Sequence, residues 1–399
     1  MKRFLSLAAI PAVLSALILS ACTGGKKEIS EGFYAMELPT GNKEANINMS
    51  RVAESISYIP LETTDTCHIE NIWKIVPMND HLVIMDKKTV EHVWLFTKSG
   101  KFVREISSKG LADGQYATLG DIAADPATNR IFILDGSRKT ILAFDTADSL
   151  LSKTPTLFYV ENFAYLGDDT FALNPNYNNS KYFNGDTPNL ILMNLRDGVT
   201  GRYVMRPKAL DPSYMIGFRS NFSTTAQGAT YTTPLCDTIF LATATGARPL
   251  YLADFGNDNE LLNQKYIADA LVKKPAIYSL DKFYEEMDKV FLTGFYAFDQ
   301  VAIATYNKGI RKYASFYYPE TGKVLSSCTT APKVIFPVAN DMDGITVFNP
   351  LGGQGNEMYC YTTFGLAPID EASLSPELKK VKDAFREGDN PVLALVKLK

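Results

Sequence analysis

The sequence predicts an all-β protein, a six-bladed β-propeller carrying a helical insert and a short C-terminal helix. Three observations predict it. Compact apolar runs start at Val93, Ile141, Leu190 and Ile239, spaced 48, 49 and 49 residues apart. Each run ends in a turn rich in Gly, Asp or Thr, at 97–100, 145–148, 196–198 and 243–246. Each is flanked by partner runs of strand length: 82–86 and 101–106, 131–135 and 156–160, 170–173 and 201–205, 229–232 and 250–255. Short apolar or alternating runs between turn residues are strands. Three or four per unit of about 50 residues describe a propeller blade rather than a helical solenoid.

A fifth unit runs from Val301 through the strand at 313–317 and the turn Pro319-Glu320-Thr321-Gly322. The sixth is expected to start near Lys333. Two stretches are helical. Residues 259–290 form an insert, with Leu262, Tyr266, Ala270 and Lys274 at four-residue steps, Pro275 as a stop and Ser279 as a second cap. Residues 376–388 open with Ser375-Pro376-Glu377, carry Leu378, Val381 and Phe385 as an apolar stripe, and close on Gly388. An apolar strand ends the chain. The strand at 55–61 is expected to pair with it, so that both chain ends build the last blade and no free sheet edge remains.

The N-terminus carries an address. Met1-Lys2-Arg3 precedes an uncharged apolar run at 4–19, short for a membrane span and suited to a signal-peptide core. It ends in Leu19-Ser20-Ala21-Cys22, which resembles the bacterial lipobox. The resemblance implies a lipoprotein signal peptide over 1–21 and lipidation of Cys22, which leaves a tether over 22–50 ahead of the propeller that the blade period places over 51–399. It also implies an outer-membrane lipoprotein, facing the periplasm or the surface, held by several acyl chains.

Two further resemblances concern the blades. Lys109-Gly110, Gly114-Gln115-Tyr116, Asp121 to Asp125, Asn129 to Asp135 and Ile141 to Asp145 resemble one NHL repeat, whose glycines turn the chain and whose aspartates cap strand ends. Tyr58-Ile59-Pro60-Leu61-Glu62-Thr63, Asn340-Asp341-Met342-Asp343-Gly344 and the closing Asn390-Pro391-Val392-Leu393 are similar to marks of the six-bladed β-propeller family of Gram-negative bacterial lipoproteins. That family implies the fold and the envelope address. It implies no particular activity.

Composition narrows the chemistry. Forty basic against 44 acidic side chains give a net charge of −4, which argues against nucleic acid as a partner. Only His68, His81 and His92 are available for imidazole chemistry. No nucleophile elbow, phosphate loop, HExxH or CxxC pattern occurs. Asp341-x-Asp343-Gly344 begins like a calcium loop but lacks the later ligands, and reads as an Asx turn. No metal, no cofactor and no catalytic residue is assigned. Cys67, Cys236, Cys328 and Cys360 read as buried thiols or one disulfide, and the sequence leaves this open.

Binding candidates lie in the loops. The stretch 174–185 offers aromatic rings and amides, with Tyr177, Lys181 and Tyr182 as candidates. Equivalent loops of other units carry Arg138, Lys139, Lys308 and Arg311, and Arg219 joins from the fourth unit. Such loops gather on one face of a propeller, so an acidic protein is expected to show a basic rim suited to an anionic glycan or peptide. The leading reading is a non-catalytic binding module for a carbohydrate, peptide or protein partner at the channel mouth. Two others stay open: a hydrolase or lyase acting on a glycan, and a scaffold in an envelope complex docking through the 259–290 insert.

Overall fold

The computed structural model describes residues 32–41, 47–175, 181–205, 219–233, 236–258, 290–332, 334, 336–345, 347–362, 364 and 374–399. Strand β1 (Tyr34–Glu37), helix α1 (Met49–Val52) and strand β2 (Ala53–Pro60) precede the first blade. Blade one holds β3 (Ile72–Pro77), β4 (His81–Lys87), β5 (Glu91–Thr97) and β6 (Phe102–Glu105). Blade two holds β7 (Leu119–Asp125), β8 (Arg130–Asp135), β9 (Thr140–Phe144) and β10 (Leu150–Pro155). Blade three holds β11 (Val160–Gly167), β12 (Thr170–Pro175), β13 (Pro188–Asn194) and β14 (Gly198–Met205). Blade four holds β15 (Phe222–Thr225), β16 (Gly228–Tyr231), β17 (Thr238–Thr243) and β18 (Gly246–Asp254). Blade five holds β19 (Val290–Ala297), β20 (Ala302–Lys308), β21 (Arg311–Tyr318) and β22 (Lys323–Thr329). Blade six holds β23 (Val347–Gln354) and β24 (Glu357–Thr362) and, after helix α2 (Pro376–Ala384), β25 (Val392–Leu398).

The sheet order of the last blade is β23-β24-β25-β2, so a strand from the N-terminal side becomes its fourth strand. Ser57 pairs with Leu395 and Ile59 with Leu393 in an antiparallel register. Asn390 locks the closure. Its Nδ2 donates to Glu62 O at 2.9 Å and Cys67 O at 3.1 Å, and its Oδ1 accepts from Ile69 N at 2.8 Å. Nearby, Tyr58 donates its hydroxyl to Asp343 Oδ1 at 2.6 Å. The three short motifs at 58–63, 340–344 and 390–399 thus converge on one blade.

The core is divided among the blade interfaces. Val83, Met85 and Val93 of blade one pack on Ile122, Ile131 and Ile133 of blade two. Their strand neighbours Leu82, Ile84 and Trp94 face Leu351, Tyr359 and Leu393 of blade six. A middle strand therefore buries both faces, which is why the second and third strands read as continuous apolar runs. Each fully buried Leu, Ile or Phe contributes about 1.5–3 kcal/mol.

The second strands end in polar caps. Asp86 accepts from the N–H groups of Glu70 and Asn71 at 3.0 and 2.8 Å, and Asp135 accepts from Ala117 N at 2.8 Å. Burial pushes the Asp86 carboxyl above its ordinary range. Asn174 and Thr362 hold the same place in blades three and six, Thr362 Oγ1 accepting from Phe364 N at 3.2 Å.

Several sequence expectations are refined. Part of the tether expected over 22–50 belongs to the fold: β1 pairs in parallel with β18, Tyr34 opposite Tyr251 and Glu37 opposite Asp254. Four alternating residues carried too little pattern to mark it. The sixth blade begins at Val347, not near Lys333, because the preceding loop holds the Asn340 turn and bridges Ala339 to Asn48. Helix α2 starts as expected, with Ser375 Oγ accepting from Leu378 N at 3.2 Å, and ends at Ala384, short of residue 388. The 259–290 insert lies, but for Val290, outside the described residues. Asn340 Oδ1 accepts from Met342 N at 3.1 Å, which makes the Asx turn. Asp341 spends both carboxylate oxygens on Ser50, at 2.9 Å to its N–H and 2.6 Å to its hydroxyl. Cys67, Cys236, Cys328 and Cys360 are all buried thiols. Burial pushes the Cys67 thiol up to about 12, so it is an inert packing group.

Candidate functional site at the channel mouth

Strands β3, β7, β11, β15, β19 and β23 come first in their blades and form the innermost ring. Alternation of antiparallel strands puts two kinds of loop on one face: those joining second to third strands, and those joining blades. Asp86 shows this directly, since it ends a second strand and caps the loop entering its own first strand.

Arg219 enters from the loop between blades three and four. Its Nη2 donates to Ile72 O at 2.9 Å, and its guanidinium lies 4.7 Å from the ring centroid of Trp73. Both partners belong to blade one, across the ring. More than a third of Arg219 stays accessible to solvent, yet crowding protein atoms desolvate the guanidinium and lower its pKa, while Tyr296 and Tyr361 act in the opposite sense. Among the described residues, no carboxylate forms an ion pair with Arg219.

The neighbours of Arg219 are held stiffly. Asn221, two residues on, accepts at Oδ1 from Asn162 Nδ2 at 2.9 Å and from Asn174 Nδ2 at 3.0 Å, and donates from Nδ2 to Thr232 O at 2.6 Å. Tyr231 donates to Asn174 Oδ1 at 3.1 Å. This amide cluster pins the start of β15 to blade three, and so fixes where Arg219 departs. Two buried polar atoms of the cluster, Asn162 Oδ1 and Thr232 Oγ1, have no hydrogen-bond partner among the described residues. Tyr296 folds back along β19 over Gly294, where a Cβ would meet the phenol oxygen at 3.1 Å. Burial raises Tyr296 to about 12, so it stands as a neutral hydroxyl at physiological pH.

The other cation of the inner ring is neutralised. Lys74 Nζ donates to Asp121 Oδ1 and Oδ2 at 2.9 and 3.0 Å and to Ile122 O at 2.9 Å, and Asp121 Oδ2 also accepts from Phe163 N at 3.0 Å. That group ties blades one, two and three together. Arg219 is chemically different: a planar fork, braced on a ring and a carbonyl, that can still offer N–H donors to an anion.

The family model described as a domain of unknown function (DUF4934) matches residues 35–397. The chain belongs to the DUF4934 family. The crystal structure of a candidate exported protein of Bacteroides fragilis superposes on this DUF4934 chain with a TM-score of 0.70 at 18% identity, covering 92% of this chain and 99% of that one. That likeness speaks to the fold alone. A DUF4221 family member from Bacteroides vulgatus gives a TM-score of 0.47 at 10% identity over 87% and 97% of the two chains. Virginiamycin B lyase from Staphylococcus aureus gives 0.42 at 10% identity over 86% and 99%. No curated protein matches the sequence.

The sequence candidates of this DUF4934 chain are distributed among separate places. Arg138 Nη1 donates to Gln115 O at 2.7 Å and sits 3.7 Å from Asp135, tied to the loop between blades one and two. Lys308 pairs with Asp258 at 2.8 Å. Arg311 stands opposite Lys308 in the β20–β21 hairpin. Lys139 meets Tyr182, with 3.1 Å between Nζ and the hydroxyl and 5.1 Å to the ring centroid. Lys181 is exposed beside Tyr182, whereas Phe183 turns inward onto Phe158. Tyr177 and Cys22 lie outside the described residues. Arg219 alone among the described candidates reaches the channel. Trp73, Tyr296 and Asn221 were not among the candidates.

Proposed function

We propose that this protein is a lipid-anchored binding module of the cell envelope, which holds an anionic glycan or peptide at its channel mouth without transforming it. One observation carries the reading: Arg219 crosses the mouth to Trp73, stays accessible, and has no carboxylate paired with it among the described residues. A desolvated guanidinium backed by an aromatic ring favours an incoming carboxylate, since the cost of removing water from the cation is met by the structure beforehand. Trp73 offers its ring to a sugar or an aromatic side chain beside it. The lipobox-like Leu19-Ser20-Ala21-Cys22 supports lipid anchoring, and the Bacteroides fragilis protein of similar fold, itself a candidate exported protein, agrees with an envelope address.

The test is isothermal titration of the chain from Thr23 onward with oligogalacturonate, with its neutral methyl ester, and with an acidic peptide, at low and high salt. The acidic ligand is expected to bind, more weakly at high salt, and Arg219→Ala is expected to cost about tenfold or more in affinity. Equal binding of acid and ester, or an unchanged affinity in Arg219→Ala, overturns the reading. Turnover of the bound ligand would move the protein to the enzyme class.

A further inference from the structure

Neighbouring blades are stapled where the chain leaves an outer strand. Between blades one and two, Ser107 at φ 60 donates its N–H to Asp148 Oδ1 at 2.7 Å, and Arg104 Nη1 donates to Ala147 O at 2.7 Å. Between blades six and one, Glu62 N–H donates to Gly100 O at 2.8 Å and Glu62 Oε2 accepts from Phe102 N at 2.9 Å. Between blades two and three, the corresponding seam holds a cavity of about 360 Å³ instead.

The cavity is built with care for apolar contact. Leu157 lies two residues past β10, as Ser107 lies two past β6, and shares its left-handed backbone at φ 67. That conformation is costly for a leucine, and its side chain is 69% exposed where the seam opens. Phe183 and Val199 complete an apolar lining. Three cations border it: Arg196, which lines the cavity and lies 3.6 Å from Asp169, Arg202, which lies 4.8 Å from the ring centroid of Phe183, and Lys139, which is bonded to Tyr182 on the rim. Among the described residues no carboxylate pairs with Arg202 or Lys139.

We propose that this seam cavity is a second binding site, separate from the channel mouth, for a small amphipathic anion. The apolar body of the ligand rests against Leu157, Phe183 and Val199, and its acid group faces Arg202. The volume lies in the range of small-ligand pockets, and the charge of the walls selects the sign of the ligand.

The probe is naphthalene-2-carboxylate, titrated into the full-length protein by calorimetry, with naphthalene-2-carboxamide as the neutral isostere. The carboxylate is expected to bind, and the amide about tenfold more weakly. The comparison is made in an Arg219→Ala background, where the channel mouth no longer contributes carboxylate binding, and adding Arg202→Gln there is expected to remove the preference, which separates this site from the channel mouth. Val199→Trp, which fills the cavity from an exposed position, is expected to abolish binding in a protein whose melting point is unchanged. Absence of carboxylate binding, equal binding of acid and amide, or binding that survives Val199→Trp overturns the proposal.

Discussion

The Arg219 guanidinium rests 4.7 Å from the Trp73 ring centroid, so a loop of one half of the propeller is braced on the first strand of the other. This contact gives the channel mouth an optical reporter. The chain has two tryptophans, and Trp94 is buried to 3% exposure against His92. In a Trp94→Phe background, emission comes from Trp73. Iodide should concentrate near the accessible cation, so Arg219→Gln is expected to lower the iodide quenching constant about twofold while acrylamide quenching holds. Equal iodide quenching in both proteins would show that the cation does not attract anions.

Asn221 carries more than its size suggests. It joins Asn162 and Asn174 of blade three to Thr232 of blade four through three side-chain hydrogen bonds. Asn221→Ala leaves one buried amide, Asn162, and one half-buried amide, Asn174, without their acceptor, and is expected to destabilise by about 2–4 kcal/mol. Urea denaturation measures it, with an unchanged denaturant slope indicating an unaltered fold. A loss under about 0.5 kcal/mol would mean that water replaces the side chain.

Gly352 marks the tightest approach of the closing blade to the first. A Cβ there would lie 1.8 Å from Ile75 O. Backbone cannot yield as a side chain can, so Gly352→Ala is expected to cost about 2 kcal/mol or more. Gly41→Ala is the control, since among the described residues nothing lies within 4 Å of its Cβ position. Thermal melts of the two variants that coincide would refute the close approach.

The repeat was readable because each middle strand buries both faces and must be apolar throughout. Runs such as Val93 to Phe96 and Ile131 to Leu134 announce themselves for that reason. Innermost strands gave weaker signals: β15 spans four residues, Phe222–Thr225, and mixes Ser and Thr with one Phe. Ring closure was legible as well, since Tyr58 to Leu61 and Leu393 to Val396 are both strand-like ends in need of a partner. The site was not. Nothing local distinguishes Arg219, which meets Trp73 across 146 positions of sequence, from Arg138, which is tied down beside Asp135. Whether a basic loop residue is neutralised depends on what the fold sets next to it, and that is long-range information.

Acid should act through Asp125. Burial raises its carboxyl, but hydrogen bonds from Thr128 and Arg130 outweigh this and hold it below the ordinary carboxylate range. Arg130 bridges Asp125 at 3.1 Å and Asp169 of blade three at 2.8 Å, with its guanidinium 5.3 Å from the Phe132 ring centroid. A depressed folded-state pKa stabilises the fold above the unfolded value, near pH 4, and the benefit disappears as pH falls through the lower folded value. Arg130→Leu removes the cation and leaves burial dominant, so Asp125 should titrate at higher pH. The variant is expected to be about 1.5–3 kcal/mol less stable at pH 7, with the gap narrowing below about pH 4 as Asp125 takes its proton. Urea midpoints of both proteins at pH 7 and pH 3 measure this. A gap of the same size at both values would assign the effect of Arg130 to its packing on Phe132 and not to its charge.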